Sequence, residues 1–167
     1  PITVTGDAEF LRRNTWGNTA SGGLGGATTG STHPATAHPI RYAEIRVTDA
    51  AGNVVQCGET LVDGSFSVQL PQGNTNYTFS INSRSFNNKL RASVLNRVEQ
   101  NRFYSLSTTV NASANVNVGT LTAPANGTVL GAAFNILDQL LDANEFLRSK
   151  VGTCGYTGCP DFTVAPK

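Results

Sequence analysis

The fold is decided by three neighbouring stretches: Ile40-Arg-Tyr-Ala-Glu-Ile-Arg-Val-Thr-Asp49, Asp63-Gly-Ser-Phe-Ser-Val-Gln-Leu70 and Asn76-Tyr-Thr-Phe-Ser-Ile-Asn-Ser83. In the first, Ala43, Ile45 and Val47 alternate with Glu44, Arg46 and Thr48, a period of two that marks a half-buried strand. Asp49-Ala-Ala-Gly-Asn53 predicts a hairpin turn with Gly52 at positive φ, and Val54 to Thr60 predicts the returning strand. Cys57, within that strand, is expected as a small buried hydrophobe. Asp63-Gly64 makes the next turn, after which Phe66, Val68 and Leu70 share one face. Pro71-Gln-Gly-Asn74 turns the chain again, and Tyr77, Phe79 and Ile81 point inward. Strands at intervals of about ten residues, joined by such turns, predict a mainly β chain built as an antiparallel sandwich or barrel.

Outward from this block the signals weaken. Ile2 to Thr5 reads as a short strand that Phe10 and Leu11 could continue. Asn14 to Pro39 is dominated by Gly, Thr, Ser, Ala and Asn, and its Ser21–Gly30 centre offers almost no side chains for packing. An exposed loop over 14–39 is expected. Downstream, Leu90 to Val98, Phe103 to Val110 and Val116 to Leu121 each have the makings of a strand. A helix is predicted from about Thr128 to Lys150, where Leu130, Phe134, Leu137 and Leu141 recur at helical spacing. Ala133, Ile136, Leu140 and Leu147 widen that stripe, while Asp138, Asp142 and Glu145 lie largely off it. Thr128 or Asn126 can cap its start, and the helix is expected to pack on the sheet. The expected organisation is a sandwich over 1–125, a helix over 126–152 and a cysteine-closed tail over 153–167.

Composition narrows the class. Charged residues are 14% of the 167, while Gly, Ser, Thr and Asn together make 65 of them. Net charge is +1, which argues against a nucleic-acid partner, whose phosphates call for a basic face. It argues equally against a polybasic membrane anchor, and no apolar run approaches the roughly 18 residues that span a bilayer. Pro1 and the lack of Met predict a processed product or an excised piece of a longer chain. The two glycines of Cys154-Gly-Tyr-Thr-Gly-Cys159 let the cysteines approach each other, so a small structural disulfide is expected, with free thiols as the alternative. That disulfide favours an oxidising, exported setting.

Few residues combine into chemistry. His33 and His38 bracket Pro-Ala-Thr-Ala, yet no carboxylate or Cys lies nearby to complete a metal site, so no metal or other cofactor is expected. Asp49, Asn53 and Asp63 could offer oxygens to calcium, but their turns already explain them. No serine sits in a G-x-S-x-G elbow, and no pair of acids stands out for glycoside hydrolysis, so no catalytic residue is expected. Exposed rings that stack on sugars or enter partner pockets are the remaining option, with Trp16, Tyr42 and Tyr104 as candidates. For Trp16, a partly buried ring covering the sandwich edge is the competing role.

Pro39 to Val55, Gly58 to Asn74 and Tyr77 to Ile81 resemble the carboxypeptidase-regulatory-like domains of the transthyretin-like (prealbumin-like) sandwiches. The resemblance rests on the strand after Pro39, the D-x-x-G-N hairpin at Asp49–Asn53, the run Asp63-Gly-Ser-Phe-Ser-Val-Gln-Leu-Pro-Gln-Gly73 and the aromatic-led strand at Tyr77. Leu61 and Val62 stand where the family carries a polar run, and the match covers only about 39–83. The Ala133–Asp138 segment is more faintly similar to one that follows such modules in large exported bacterial proteins. The resemblance implies a transthyretin-like β-sandwich with one C-terminal α-helix, secreted, periplasmic or at the cell surface. It implies a non-catalytic accessory or recognition module whose partner is a neighbouring domain of its parent, a surface protein or a polysaccharide. A carbohydrate-binding module or adhesin, or a fragment of a secreted hydrolase with its catalytic domain beyond Lys167, are the alternatives. Relatives that staple themselves with an isopeptide bond use a first-strand Lys; here the lysines are Lys89, Lys150 and Lys167, so that staple is not expected.

Overall fold

The computed structural model describes residues 1–12, 35–97 and 102–151. Alternation along β1 (Ile2–Arg12) buries Ile2, Val4, Ala8 and Phe10, so the first strand is far longer than its clearest four residues. Both edges of β1 are hydrogen-bonded. On one edge it pairs antiparallel with β5 (Ser65–Leu70), from Ile2 opposite Leu70 to Asp7 opposite Ser65. Beyond the end of β5, the same edge accepts β2 (Thr36–Pro39), from Glu9 opposite Pro39 to Arg12 opposite Thr36. The loop expected over 14–39 therefore ends in a strand. Thr-Ala-His-Pro carries no apolar period of its own, and what orders it is the stretch of β1 edge that β5 leaves open.

The other edge of β1 corrects the all-antiparallel expectation. There β12 (Val116–Ala123) runs parallel, with Val4 opposite Val116 and Phe10 opposite Ala123. Alternation reports which face of a strand is buried and is silent about its direction. Between Thr5 and Asp7 the partner advances from Asn117 to Thr120, and Gly119 at φ +69 takes up the extra residue as a bulge.

The second sheet has the order β11 (Ser105–Asn111), β6 (Asn76–Asn82), β3 (Glu44–Thr48), β4 (Val54–Glu59), all antiparallel. Its inward residues are the predicted ones: Ala43, Ile45, Val47, Tyr77, Phe79 and Ile81 are buried. They meet Val4, Phe10, Phe66, Val68 and Leu70 of the first sheet in one core, with the Phe66 and Phe79 ring centroids 6.5 Å apart. Fully burying a side chain of this size contributes about 1.5–3 kcal/mol. Cys57, however, is exposed. It lies opposite Arg46 and so shares the outward phase of β3, whereas the position opposite Ile45 is Gly58.

The region expected as one strand over Leu90–Val98 is broken. β8 (Arg91–Ser93) and β9 (Leu95–Arg97) are separated at Val94, whose N–H donates to the Ser83 carbonyl at 2.8 Å. β8 pairs with β7 (Arg84–Phe86), and β9 pairs with β10 (Arg102–Phe103). Buried Ser83 knots these two ribbons to the sheet: its N–H donates to Tyr104 O, its hydroxyl donates to Val94 O, and Tyr104 N–H donates to that hydroxyl.

The helix α1 (Leu130–Val151) is capped by Thr128, whose hydroxyl oxygen accepts from Leu130 N–H at 3.3 Å. It packs on β1 and β12, burying Ala133, Phe134, Leu137 and Leu141. Ile136, Leu140 and Leu147 do not join them and are 50%, 43% and 41% exposed, because they fall outside the arc that meets the sheet. Cys154, Cys159 and the rest of the tail lie outside the described residues.

Two turn glycines separate backbone strain from crowding. Gly52 (φ +83) has open space where a Cβ would go, while a Cβ on Gly64 (φ +84) would strike the carbonyl oxygen of Ala8. Gly52→Ala is expected to cost about 1 kcal/mol in urea unfolding. Gly64→Ala is expected to cost at least about 1 kcal/mol more, because the turn must move off β1.

Candidate functional site

A corner between β2 and β3 is wrapped around one buried threonine. The Thr60 hydroxyl donates to Ile40 O at 2.6 Å and accepts from Ala43 N–H at 2.9 Å, while its backbone pairs with Tyr42 N–H and Ala43 O. Held from both sides, Tyr42 sits at φ +54, the one non-glycine residue at positive φ among those described. Arg41 and Tyr42 are thereby turned outward toward α1 and the β7–β8 hairpin.

Spacings of four and three place Asp138, Asp142 and Glu145 on one side of α1. Arg41 meets all three: Nη2 lies 2.6 Å from Asp138 and 2.5 Å from Asp142, and Nη1 lies 3.5 Å from Glu145. Burial, the largest single influence, disfavours the guanidinium's charge, but hydrogen bonds to Asp142 and Asp138 and the charges of both outweigh it. The pKa of Arg41 is accordingly held above its ordinary value. The acids that were off the apolar stripe are thus a docking latch. One turn further along, Asn144 donates to Lys89 O at 2.7 Å, and Arg148 donates to Asn88 O and Lys89 O.

That second set of bonds fixes the tip of the β7–β8 hairpin. The Asn87 side-chain oxygen accepts from Lys89 and Leu90 N–H, and its amide donates to Glu59. Lys89 Nζ donates to the Tyr42 hydroxyl at 2.7 Å and sits 4.4 Å from the ring centroid. On the ribbon itself, Phe86 pairs with Arg91, and Arg84 lies two residues before it on the same face. Both guanidiniums lie over the Phe86 ring, at 4.9 Å and 5.1 Å, and that of Arg84 is also 5.3 Å from the Phe103 ring. Beneath, Ser85 and Leu90 are buried, while Phe86 remains 61% exposed. Glu44 lies 3.7 Å from Arg84; Arg91 and Arg102 have no acidic partner among the described residues.

The predicted site residues are therefore divided. Tyr42 stands at the hairpin tip, Tyr104 at its base beside Ser83, and Trp16 lies outside the described residues. Phe86, Arg84 and Arg91 were not singled out, although Arg84, Lys89, Arg91, Arg97 and Arg102 are five of the chain's 12 cations. A local charge window would have found them; a net charge of +1 averages them away.

The other candidates have local roles. His33 lies outside the described residues, and His38 stacks on Phe10 with its Nε2 3.0 Å from the Thr36 hydroxyl. Asp49 and Asp63 sit at opposite ends of β4, each occupied by its own turn: Asp49 accepts from Ala51 and Asn53, Asp63 from Ser65. The Asn53 side chain first, and then its backbone N–H, hold the Asp49 carboxyl below the ordinary carboxylate range. The Ser65 hydroxyl and N–H do the same for Asp63. Among the described residues no three His, Cys, Asp or Glu side chains gather as a metal site, and no helix is long and apolar enough to cross a membrane. In comparisons with protein-family models and with curated proteins, nothing matches the chain.

Arg41→Ala is expected to lower unfolding free energy by about 2 kcal/mol, since Asp138, 11% exposed, loses its counter-charge. Asp142→Asn, at a side chain 52% exposed, is expected to cost less than about 1 kcal/mol. Urea denaturation separates the two. A carboxylate whose folded pKa is depressed adds stability above its unfolded pKa and loses it as pH falls through the folded value. The melting-temperature gap between wild type and Asp49→Ala should therefore be constant from pH 7 to about 5 and close below about pH 4. A gap independent of pH would show that Asp49 acts through the neutral hairpin alone.

Proposed function

We propose that the chain is a non-catalytic recognition module of a larger exported bacterial protein, a transthyretin-like β-sandwich that presents a rigid face to its partner. The observation that carries this reading is Phe86, an aromatic ring left 61% exposed under two arginines on a ribbon whose tip is bonded to α1. Phe86 is not a lone surface ring: Phe103 and two guanidiniums adjoin it, and aromatic and Arg side chains grouped in this way are the types enriched at contact surfaces. The quoted family pattern supports the fold assignment, since its strands coincide with β3, β4, β5 and β6. Function lies in the ribbons, in contacts that form and break no covalent bond.

The immobilised chain tested against neutral and acidic polysaccharides, single-stranded DNA and acidic peptides should retain at least one of these. Phe86→Ala with Arg91→Ser should abolish that retention while circular dichroism and the melting temperature stay near wild type. Retention that ignores both substitutions, or no retention anywhere in the panel, rejects the reading.

A further inference from the structure

We propose that the face formed by Arg84, Phe86, Arg91 and Phe103 binds an acidic polysaccharide, its uronate carboxylates seated on the arginine forks and its sugar rings against phenylalanine. This deepens the recognition reading and rests on it. A guanidinium presents planar, paired N–H donors that match a carboxylate bidentately. Here two guanidiniums are held over one ring, 4.9 Å and 5.1 Å from its centroid, so they are positioned before any ligand arrives. Arg91 has no competing acid among the described residues, and Arg102, on the neighbouring ribbon, likewise has none. Arg84 is restrained by Glu44 at 3.7 Å, too far for a tight pair and close enough to set its direction.

The chemistry of the face selects among polyanions. Phe86 and Phe103 offer apolar surface to the C–H faces of pyranose rings, and exposed Ser93, opposite Arg84, offers a hydroxyl of the kind that sugar hydroxyls bond. Nucleic acid suits it less well. A single strand bound through two or three phosphates gains only a shallow salt-dependent term, at about 0.7 in log–log slope per phosphate. An acidic peptide would satisfy the arginines and leave the phenylalanine rings without a stacking partner.

The test is calorimetric titration of the full chain with hexagalacturonate, its fully methyl-esterified form, a heparin hexasaccharide, dT12 and hexaglutamate. Hexagalacturonate should bind and the ester should not. Arg91→Ser and Phe86→Leu should each weaken binding at least tenfold, Arg91→Lys by less, and Lys150→Ser not at all. Equal binding of the ester overturns the role of charge, and with it the proposal. Tighter binding of heparin, lost on Arg91→Ser, means that sulfate rather than carboxylate sits on the forks and overturns the uronate assignment; tighter binding of dT12 or hexaglutamate, lost on the same substitution, overturns the polysaccharide itself, and each of these leaves the recognition reading standing. Binding of no ligand, or binding insensitive to the ribbon, overturns both. Should Arg91→Ser fail to fold, Arg91→Gln and Arg84→Gln, each expected to weaken hexagalacturonate binding at least tenfold, decide the matter, and unchanged binding in a folded variant overturns the proposal.

Discussion

The structure depends on the backbone hydrogen bonds along the two edges of β1. A strand of eleven residues cannot be left with an open edge in a core, because unpaired N–H and C=O groups there cost free energy. β5 and β2 share one edge end to end, β12 takes the other, and α1 lies against the same strand. The second sheet is then set by packing, through Phe66 on Phe79 and the aliphatic residues around them, and by the Thr60 corner that ties the end of β4 to Ile40. Residues from both ends of the described chain meet on this one strand, so no part of the first sheet can assemble from local contacts.

The helix makes two kinds of contact with this frame, and they serve different ends. Phe134, Leu137 and Leu141 supply the apolar contact that holds α1 in place. Asp138, Asp142, Asn144 and Arg148 supply direction, reaching Arg41 in one corner and the carbonyls of Asn88 and Lys89 in another. Polar bonds of this sort add little net stability, yet they specify one arrangement among several of similar apolar content. Through them the hairpin that carries Phe86 is fixed in one orientation over the core, to which it contributes Leu90.

Much of the fold was legible in the sequence. Alternation placed Ile45, Val47, Phe66, Val68, Phe79 and Ile81 inside, and Asp49–Asn53 and Asp63–Gly64 turn where their residues say they should. What escaped was non-local. Nothing in Val116–Ala123 announces that its neighbour runs parallel to it, and Thr36–Pro39 is a strand only because β1 offers it an edge. Cys57 was assigned the wrong face, since a strand with valines at 54 and 55 has no clear phase and its register comes from Arg46. The Phe86 face escaped for a different reason. Its residues are three apart or fewer in sequence only within each strand, and the pairing of Phe86 with Arg91 requires knowing that Asn87–Leu90 is a turn.

The parallel pairing of β1 with β12 also determines how the frame bears load. Val4 lies beside Val116 and Phe10 beside Ala123, so the start of β1 and the exit of β12 are at opposite ends of one ladder. Tension applied at those two points runs along both strands and pulls them past each other. The bonds of the ladder are then strained together rather than opened one after another, as they are when a hairpin is peeled from its free end. A frame loaded in this way resists stretching along the chain direction, while the ribbon bearing Phe86, joined to the frame through Ser83 and the tip bonds of α1, lies off the line of force.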